Sequence, residues 1–383
     1  MRILFISHSS PLKEGGAETR TREVAFRLAR QGHSVTVLCG KTDFEDPEIS
    51  EINGVKFVCK KTLPDSLLKR YPYPHYVSLA AANLFLMFYL RSFLRNEGYD
   101  LIREDICPFP PSFLLSLVRA HSRRIAITHM LPNTLRNWIR FYGPFFGPAG
   151  FLMSKLLRSG ALKYDRIVSD SRWFAEELKR SPAIANKVVF VPNGVDLADF
   201  KPVDRRAPNG EIRLLSVGRL VETKGHRYLI EALSGLVKQF PGIKLDVLGN
   251  GQLRDQLVWL ANDLGLSTHV RFRPPVSHEE MPGLYSEYDF FVLPSLWEGL
   301  PVSLIEAMAC KLPIVATRIP AIMDVLDARS ATLSPEENAP DLADKIRWAI
   351  EHPIDVAEYA ERAYEVARMY DWDVTARQEI EQA

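Results

Sequence analysis

The stretch that decides the fold is FFVLPSLWEGLPVSLIEAMACKLPIVAT, residues 290–317. Residues 290–293 form an apolar run that ends at Pro294 and predicts a short buried strand. Apolar residues then recur at helical intervals over 302–310, which predicts a buried helix, and the apolar run 314–316 predicts another strand. A strand, a loop, a helix and a further strand in this order are typical of a parallel α/β sheet.

Two glutamates, Glu298 and Glu306, lie eight residues apart in this stretch, the first in the predicted loop and the second in the predicted helix. Pro301 suits the first helical position, because its missing N–H would be unpaired there in any case. The amides of Val302 and Ser303 are then free to bind an anion. Carboxylates beside such a helix start suggest a polyhydroxyl ligand that carries phosphate. The alternative is a pair of solvated or capping glutamates.

Length and composition limit the class of protein. A chain of 383 residues, 46% hydrophobic and 25% charged, predicts two globular domains and hence a cleft. The cysteines Cys39, Cys59, Cys107 and Cys310 lack C-x-x-C or Cys/His ligand spacing, so we expect neither a disulfide framework nor a zinc site. The N-terminal apolar run is too short for a signal peptide, and the most apolar segment, 79–90, is shorter than the roughly 20 residues of a membrane-spanning helix. We therefore expect a cytoplasmic protein.

Charge is distributed unevenly along the chain. Residues 1–190 contain 28 lysines and arginines against 17 acidic residues, whereas residues 191–383 contain 20 against 30. A basic half favours an anionic partner, which leaves nucleic acid, an acidic lipid surface or a phosphorylated substrate. No helix-turn-helix, zinc-finger or RNP-like pattern accompanies the basic residues, so we expect no nucleic-acid partner.

Strand-like runs alternate with helix-like segments in both halves of the chain, with a polar, proline-rich interval at 201–210 between them. This alternation predicts two Rossmann-like, doubly wound parallel sheets, whose ligands bind beyond the carboxyl ends of the strands. The predicted strands are 3–7, 35–39, 55–59, 101–103, 125–128, 167–169 and 188–191 in the first half, and 213–217, 244–248, 270–272, 290–293 and 314–316 in the second.

The segment VGRLVETKG, residues 217–225, places Arg219 and Lys224 in a glycine-bounded loop after a predicted strand. Arginine offers a planar fork of donors and lysine a mobile point charge, a pairing that suits a diphosphate. Glycines at strand ends, such as Gly249, allow close approach of the backbone to a ligand. The alternative is a solvated loop with ordinary turn glycines.

Five segments together resemble the family-four retaining glycosyltransferases of the GT-B fold. They are GGAE at 15–18, VPNGVD at 191–196, VGRLVETKG at 217–225, GNG at 249–251 and EGLPVSLIE at 298–306. The resemblance implies two Rossmann-like domains that face a cleft. It implies an acceptor-binding domain over 1–195, a nucleotide-sugar donor domain over 196–369, and a last helix at about 370–383 that returns to the first domain.

The resemblance also implies roles for particular residues. Arg219 and Lys224 match the family's diphosphate-binding pair, Glu298 its contact to the donor sugar, and Glu306 its contact to the ribose. His129 occupies the place of a histidine near the reacting sugar; by itself, a histidine that ends a strand is commonly structural. The remaining residues of the implied donor site are Gly16, Gly218, Gly249, Leu300, Val302 and Ser303.

The implied reaction is transfer of a sugar from a nucleotide diphosphate to a hydroxyl, with retained configuration and without a cofactor or metal. Asp371 and Asp373 form a D-x-D pattern near the carboxyl end, which we interpret as structural. The chain departs from the family at 100–106, 270–276 and 317–325, where a histidine, a glycine and a glycine pair are missing. The acceptor, the base and the donor sugar are therefore left open.

Two segments of the basic half, 79–95 and 141–163, combine aromatic and aliphatic residues with arginine and lysine. Such segments suit the surface of an anionic membrane, and an acceptor that is lipid-linked or a polysaccharide precursor would fit this location. The alternative is packing between helices. Two other functions share the same predicted site: a GT-B nucleotide-sugar epimerase and a catalytically silent binder of nucleotide sugars.

Overall fold

The computed structural model describes residues 1–7, 10–13, 15–41, 48–61, 90, 94, 98–106, 122–128, 139, 148, 164–202 and 210–382. The chain forms two compact units. The first contains Met1–Lys13, Ala17–Pro192 and Trp372–Ala383, and the second contains Glu14–Gly16 and Asn193–Asp371. Within the described residues, no helix is both long enough and apolar enough to cross a bilayer. His129 and most of the predicted membrane segments 79–95 and 141–163 lie outside the described residues.

The first sheet is parallel except at one edge. Its strands follow the order β3-β4-β2-β1-β5-β6-β7-β8, and only the pair β3–β4 is antiparallel. The bounds are β1 Arg2–Ser7, β2 Ser34–Lys41, β3 Ile49–Ile52, β4 Val55–Lys61, β5 Leu101–Ile106, β6 Arg123–Thr128, β7 Arg166–Ser169 and β8 Val188–Phe190.

The second sheet has the order β11-β10-β9-β12-β13-β14 and is parallel throughout. This is the doubly wound order, in which the direction of winding reverses between β9 and β12, and ligands bind at such a reversal. The bounds are β9 Ile212–Val217, β10 Ile243–Leu248, β11 Val270–Arg273, β12 Phe290–Leu293, β13 Ile314–Thr317 and β14 Thr332–Ser334.

Helices cover both faces of the second sheet. Phe291 lies in one apolar cluster with Leu304, and Val292 lies in the other with Leu229, so alternate residues of one strand face different helix layers. The described helices are α1 Gly16–Arg30, α2 Arg172–Lys179, α3 His226–Leu236, α4 Arg254–Asp263, α5 Met281–Tyr285, α6 Val302–Ala309, α7 Pro320–Met323, α8 Ala339–Glu351, α9 Pro353–Ala367 and α10 Trp372–Glu381. The predicted α/β fold with two parallel-sheet domains is confirmed.

Two short strands were not predicted from the sequence. The edge strand β3, with the sequence ISEI, is largely exposed, so it has no apolar run to mark it. The strand β14 has only three residues, Thr332–Ser334, and lies at the other sheet's edge. Both form because a neighbouring strand supplies hydrogen-bonding partners, which local sequence does not reveal.

A buried ionic cluster ties α10 to the first sheet. The Glu379 carboxylate accepts hydrogen bonds from Nε of Arg20 and Nε of Arg103, each at 2.9 Å. Arg103 Nη1 also donates to Asp105 at 2.9 Å, and Asp105 accepts from the Thr21 hydroxyl at 2.7 Å. Because these charges are buried, each depends on its partner for stability. The cluster therefore holds the end of the chain against the first unit.

Candidate active site

The candidate site lies on the loops that follow β9 and β12, the two strands between which the winding of the second sheet reverses. The first loop ends in a short 3-10 turn, Glu222–Lys224. The backbone carbonyl of Thr223 in that turn accepts hydrogen bonds from the amides of Leu296 at 2.8 Å and Trp297 at 3.2 Å, both in the second loop. These bonds hold the two loops together.

Two glycines allow the loops to approach closely. Gly225 has φ of 63°, and a Cβ at this position would lie 2.0 Å from the carbonyl oxygen of Pro294. Gly249 has φ of 150°, and a Cβ there would lie 2.0 Å from the carbonyl oxygen of Gly218. Neither position can accept a side chain without movement of backbone. The glycines predicted at strand ends thus bring together loops of three strands of one sheet.

Lys224 and Glu298 form an ion pair at the centre of the site. Lys224 Nζ lies 2.6 Å from Glu298 Oε1, and the side chains are 15% and 9% exposed. The Ser295 hydroxyl donates to the same carboxylate oxygen at 2.6 Å. A Cβ at Gly218 would lie 3.2 Å from Lys224 Cδ, so the absence of a side chain there leaves room for the lysine stem. A cation and a carboxylate are therefore held in fixed positions next to each other.

Each carboxylate oxygen of Glu306 has a hydrogen-bonding partner. His278 Nε2 lies 2.9 Å from Oε1, and the Tyr285 hydroxyl donates to Oε2 at 2.8 Å. Burial, together with the charge of Glu306, raises the pKa of Tyr285 well above its ordinary value, so the phenol keeps its proton. A carboxylate has about four lone-pair positions, so Glu306 can accept two further hydrogen bonds from hydroxyl groups of a ligand.

The helix start differs by one residue from the prediction. Pro301 is the N-cap of α6, with φ of −66° and ψ of 121°, and the first helical residue is Val302. The predicted first helical position of Pro301 is therefore wrong, because its backbone is still extended. The amides of Val302 and Ser303 belong to the first turn, where helical amides have no intrahelical acceptor. The Leu300 carbonyl, just before the cap, accepts a hydrogen bond from the Asn193 side chain.

Arg219 lies in the same loop as Lys224 but has a different environment. Its side chain is exposed, whereas the adjoining Leu220 is buried and donates its amide to the Asn250 carbonyl at 2.9 Å. The loop therefore has a fixed backbone with a guanidinium that reaches into solvent. An exposed arginine of this kind can pair with an anionic ligand, because its planar fork suits phosphate oxygens.

The buried histidine His226, the first residue of α3, was not predicted from the sequence. Burial, and next the charge of Lys224, lower its pKa to about 4, so the imidazole is neutral at neutral pH. Its Nδ1 lies 3.4 Å from the Ser216 hydroxyl. A neutral ring next to Lys224 adds no positive charge and therefore does not weaken the Lys224–Glu298 pair.

The structure thus places most predicted site residues on one end of the second sheet. Gly16, by contrast, is the first residue of α1, which follows β1. The residues on the loops and helix start of the second sheet are Gly218, Arg219, Lys224, Gly249, Glu298, Leu300, Val302, Ser303 and Glu306. The supporting residues Ser295, His278, Tyr285 and His226 were missed, because their roles depend on contacts between elements far apart in sequence.

The described residues contain no group of three or more His, Cys, Asp or Glu side chains that could hold a metal ion. Asp373 of the D-x-D pattern is 60% exposed, and its Oδ1 lies 3.6 Å from Nε of Arg27 in the first unit. This contact joins α10 to α1.

Two family models match consecutive parts of the chain. Glycosyltransferase Family 4 matches residues 14–199, and Glycosyl transferases group 1 matches residues 199–368. A D-inositol 3-phosphate glycosyltransferase of Corynebacterium urealyticum is 26% identical over 100% of this chain and 95% of its own length.

Two solved structures show the same fold. The sucrose-phosphate synthase of Thermosynechococcus elongatus has a TM-score of 0.84 at 22% identity, and covers 99% of this chain and 97% of its own. Anabaena Alr3699/HepE, solved in complex with UDP-glucose, has a TM-score of 0.74 at 19% identity and covers 100% and 98%.

The fold and these matches define a glycosyltransferase of the GT-B class. The chain belongs to the family-four glycosyltransferases, whose two models together match residues 14–368. It is accordingly an enzyme of the hexosyltransferase type.

Proposed function

We propose that the protein transfers a sugar from a nucleotide-diphosphate sugar to an acceptor hydroxyl, with retention of the anomeric configuration. The observation that carries the proposal is the Lys224–Glu298 pair, at 2.6 Å, where the winding of the second sheet reverses. A cation next to a carboxylate can bind a phosphate and a sugar hydroxyl of one ligand.

The phosphates of the donor would bind to Lys224, Arg219 and the first amides of α6. Negative charge increases on the diphosphate as its bond to the sugar breaks, so these donors stabilise the transition state more than the ground state. In the transfer, the bond between the anomeric carbon and the diphosphate oxygen breaks and a bond to the acceptor oxygen forms. The leaving phosphate takes the proton of the acceptor hydroxyl.

The two glutamates would bind hydroxyl groups at either side of the phosphates. We assign the donor sugar to Glu298 and the ribose to Glu306, which His278 and Tyr285 orient. The roles that the family resemblance implies for Gly16, next to the phosphates, and for His129, near the reacting sugar, stay predictions.

We propose an acceptor that carries phosphate, either free or as a lipid-linked precursor. The excess of basic residues in 1–190 supports this choice, and a relative of similar length is named for D-inositol 3-phosphate. A lipid-linked acceptor would bring the protein to the inner face of an anionic membrane. Flotation with anionic liposomes at low salt tests that location, and the absence of the protein from the floating fraction would contradict it.

The first test is a thermal-shift panel of UDP-, GDP- and ADP-sugars. A ligand that binds only the folded protein raises its melting temperature, so one base should stand out. The preferred sugar is then incubated with phosphorylated acceptors, with and without a metal chelator, and the anomeric configuration of the product is read by proton NMR. We expect product of retained configuration that forms equally well with chelator. An inverted product, or activity lost with the metal, would contradict the corresponding part of the proposal.

The two other candidate functions give different results in the same assay. An epimerase would interconvert the free nucleotide sugar without acceptor, and a silent binder would show a thermal shift without turnover or slow hydrolysis. The intact Lys224–Glu298 pair argues against a silent protein, because both groups are held in position for a ligand. Transfer that requires an acceptor would decide for the glycosyltransferase.

A further inference from the structure

Two cysteines that are 20 positions apart in sequence meet in the first sheet. Cys39 of β2 and Cys59 of β4 are direct partners in the register of these parallel strands, and their sulfur atoms lie 2.8 Å apart. Neighbouring strands are about 4.8 Å apart, which falls within the range of Cα separations that a disulfide spans. The sulfur atoms would still have to move from 2.8 Å to the roughly 2.0 Å of an S–S bond, within strands that already have the spacing of a disulfide.

The pair is buried in the interior of the first unit. Cys39 is 0% exposed and Cys59 is 3% exposed. Phe57, two residues before Cys59 and hence on the same face of β4, contacts Phe26 of α1 with ring centroids 6.2 Å apart. Only a small oxidant, or a local opening of the sheet edge at the four-residue strand β3, would give access to the sulfur atoms. The burial of the two sulfur atoms thus limits the rate of their oxidation. Their proximity decides that the product is a disulfide between Cys39 and Cys59.

We propose that Cys39 and Cys59 form a reversible redox modification site, at which a peroxide converts the two thiols to an intramolecular disulfide. One thiolate attacks the peroxide, the O–O bond breaks, and a sulfenic acid and water form after proton transfer. The second sulfur then attacks the sulfenic sulfur, the S–O bond breaks, a second water leaves and the S–S bond forms. Each peroxide is reduced by two electrons, and the two thiols together lose two electrons and two protons.

Cys310 does not have this arrangement. It is the C-cap residue of α6 and is buried, and the described part of the chain places no second cysteine within its reach. It serves as an internal reference for selectivity. Cys107 lies outside the described residues and serves as the second reference.

The disulfide would close a loop that contains β3 and the turn to β4. Such a link restricts the unfolded chain, so the melting transition of the first unit should occur at a higher temperature in the oxidised protein than in the reduced protein. The inference concerns the first unit and does not depend on the proposed glycosyl transfer, which we assign to groups of the second unit.

The test is peptide mapping of the native full-length protein after treatment with hydrogen peroxide. Free thiols are blocked with iodoacetamide in denaturant, and the protein is digested with trypsin without reductant. Cleavage after lysine and arginine yields peptides 31–41 and 57–60, which contain Cys39 and Cys59. We expect a linked species of these two peptides and a loss of their alkylated forms. If the oxidised protein is treated with dithiothreitol before alkylation, the alkylated peptides should reappear. The alkylated peptides of Cys107 and Cys310 should persist.

Cysteine variants test whether the disulfide depends on the proximity of Cys39 and Cys59 or on a general reactivity of the thiols. Cys39→Ser and Cys59→Ser should each abolish the linked species and the rise in melting temperature, whereas Cys310→Ser should leave both unchanged. Circular dichroism of the reduced variants checks that they fold, and Cys39→Ala provides a second variant if the serine is not tolerated. Persistence of both alkylated peptides in oxidised wild type would overturn the proposal. Links chiefly to Cys107 or Cys310, or a link that forms only in unfolded protein, would also overturn it.

Discussion

Lys224 combines the features that a phosphate ligand of the proposed donor requires. It is largely buried, it is paired with Glu298 at 2.6 Å, and the absence of a side chain at Gly218 leaves room for its stem. A cation held in this way loses little conformational freedom when a diphosphate binds, so in the proposed reaction it would act on the transition state without first being ordered.

Lys224→Ala should therefore lower kcat/KM by about 100- to 1000-fold, the loss that follows removal of one preorganised electrostatic group. The measurement is the rate of sugar transfer under steady-state conditions. Arg227→Ala is the matched control, because the Arg227 side chain is 67% exposed and pairs with Glu231 at 2.7 Å within α3. Equal rates in the two variants would show that Lys224 does not bind the phosphates.

Gly225→Ala should destabilise the second unit. The added Cβ would lie 2.0 Å from the Pro294 carbonyl oxygen, and φ of 63° is unfavourable for alanine. The control is Gly235→Ala in the exposed part of α3, where nothing lies within 4 Å, and which should stabilise the protein by about 0.5–1 kcal/mol. Urea unfolding measures both, and opposite signs of the change in midpoint are expected. A midpoint for Gly225→Ala at or above wild type would contradict the loop geometry.

Tyr285→Phe should weaken donor binding while it changes kcat little. The variant removes the hydrogen bond to Glu306 Oε2 at 2.8 Å, so the carboxylate keeps its contact with His278 at Oε1 but loses the one at Oε2. One hydrogen bond is worth about 0.5–1.5 kcal/mol, so KM for the nucleotide sugar should rise about two- to tenfold. The control is Tyr228→Phe, whose hydroxyl lies 3.4 Å from Glu337 away from Glu306. A fall in kcat with unchanged KM would contradict an orienting role.

The helix α10 is held to the first sheet by buried charges. Glu379 lies between Arg20 and Arg103, in a position where all three side chains are at most 1% exposed. Burial by itself would raise the pKa of Glu379, but Arg103 and Arg20 outweigh it and hold that pKa below its ordinary value of 4.5. The carboxylate is thus charged in the folded protein, and its charge holds α10 in place.

Acid should therefore weaken this contact. Because the folded-state pKa of Glu379 is lowered, its stabilising contribution is complete above about 4.5 and is lost as the pH falls through the folded-state value. At neutral pH, Glu379→Gln should lower the free energy of unfolding by about 3–5 kcal/mol, since it leaves two buried arginines unpaired. The difference from wild type should shrink below pH 4.5 in urea titrations. Glu381→Gln, on the exposed side of α10, should show neither effect, and a pH-independent difference for Glu379→Gln would contradict the interpretation.

At the scale of the whole molecule, each unit has its own hydrophobic core. Apolar clusters cover both faces of the second sheet, and separate clusters lie in the first unit around residues such as Leu38 and Ile167. Separate cores allow the two units to unfold in separate transitions, each with its own melting temperature.

We expect two transitions in calorimetry, of which the nucleotide of the preferred donor raises only the one that belongs to the second unit. At a ligand concentration about 100 times Kd, the free energy of unfolding of the second unit should rise by about 2.7 kcal/mol. Gly225→Ala identifies the second-unit transition, because it lowers that transition in the absence of ligand. A nucleotide that raises only the other transition would contradict the assignment of the donor to the second unit.

The sequence by itself determined local features, namely the type and position of individual strands, loops and helices. Continuous apolar runs such as FFVL at 290–293 marked the strands, and helical periodicity placed Glu298 in a loop and Glu306 in a helix. These features follow from burial within one element, and they were sufficient to predict the α/β class and the strand ends at which the candidate site lies.

Only the tertiary structure decided which distant residues meet. Lys224 and Glu298 are 74 positions apart, and Arg20 and Glu379 are 359 apart, yet each pair shares a hydrogen bond. The cysteines that showed no ligand spacing became neighbours because β4 lies next to β2 in register. The periodicity of apolar residues in the sequence indicates which side of a helix or strand is buried. The order and register of the strands decide which residue of another element lies opposite it. For that reason, the partners of Glu306 and the cysteine pair could be identified only from the structure.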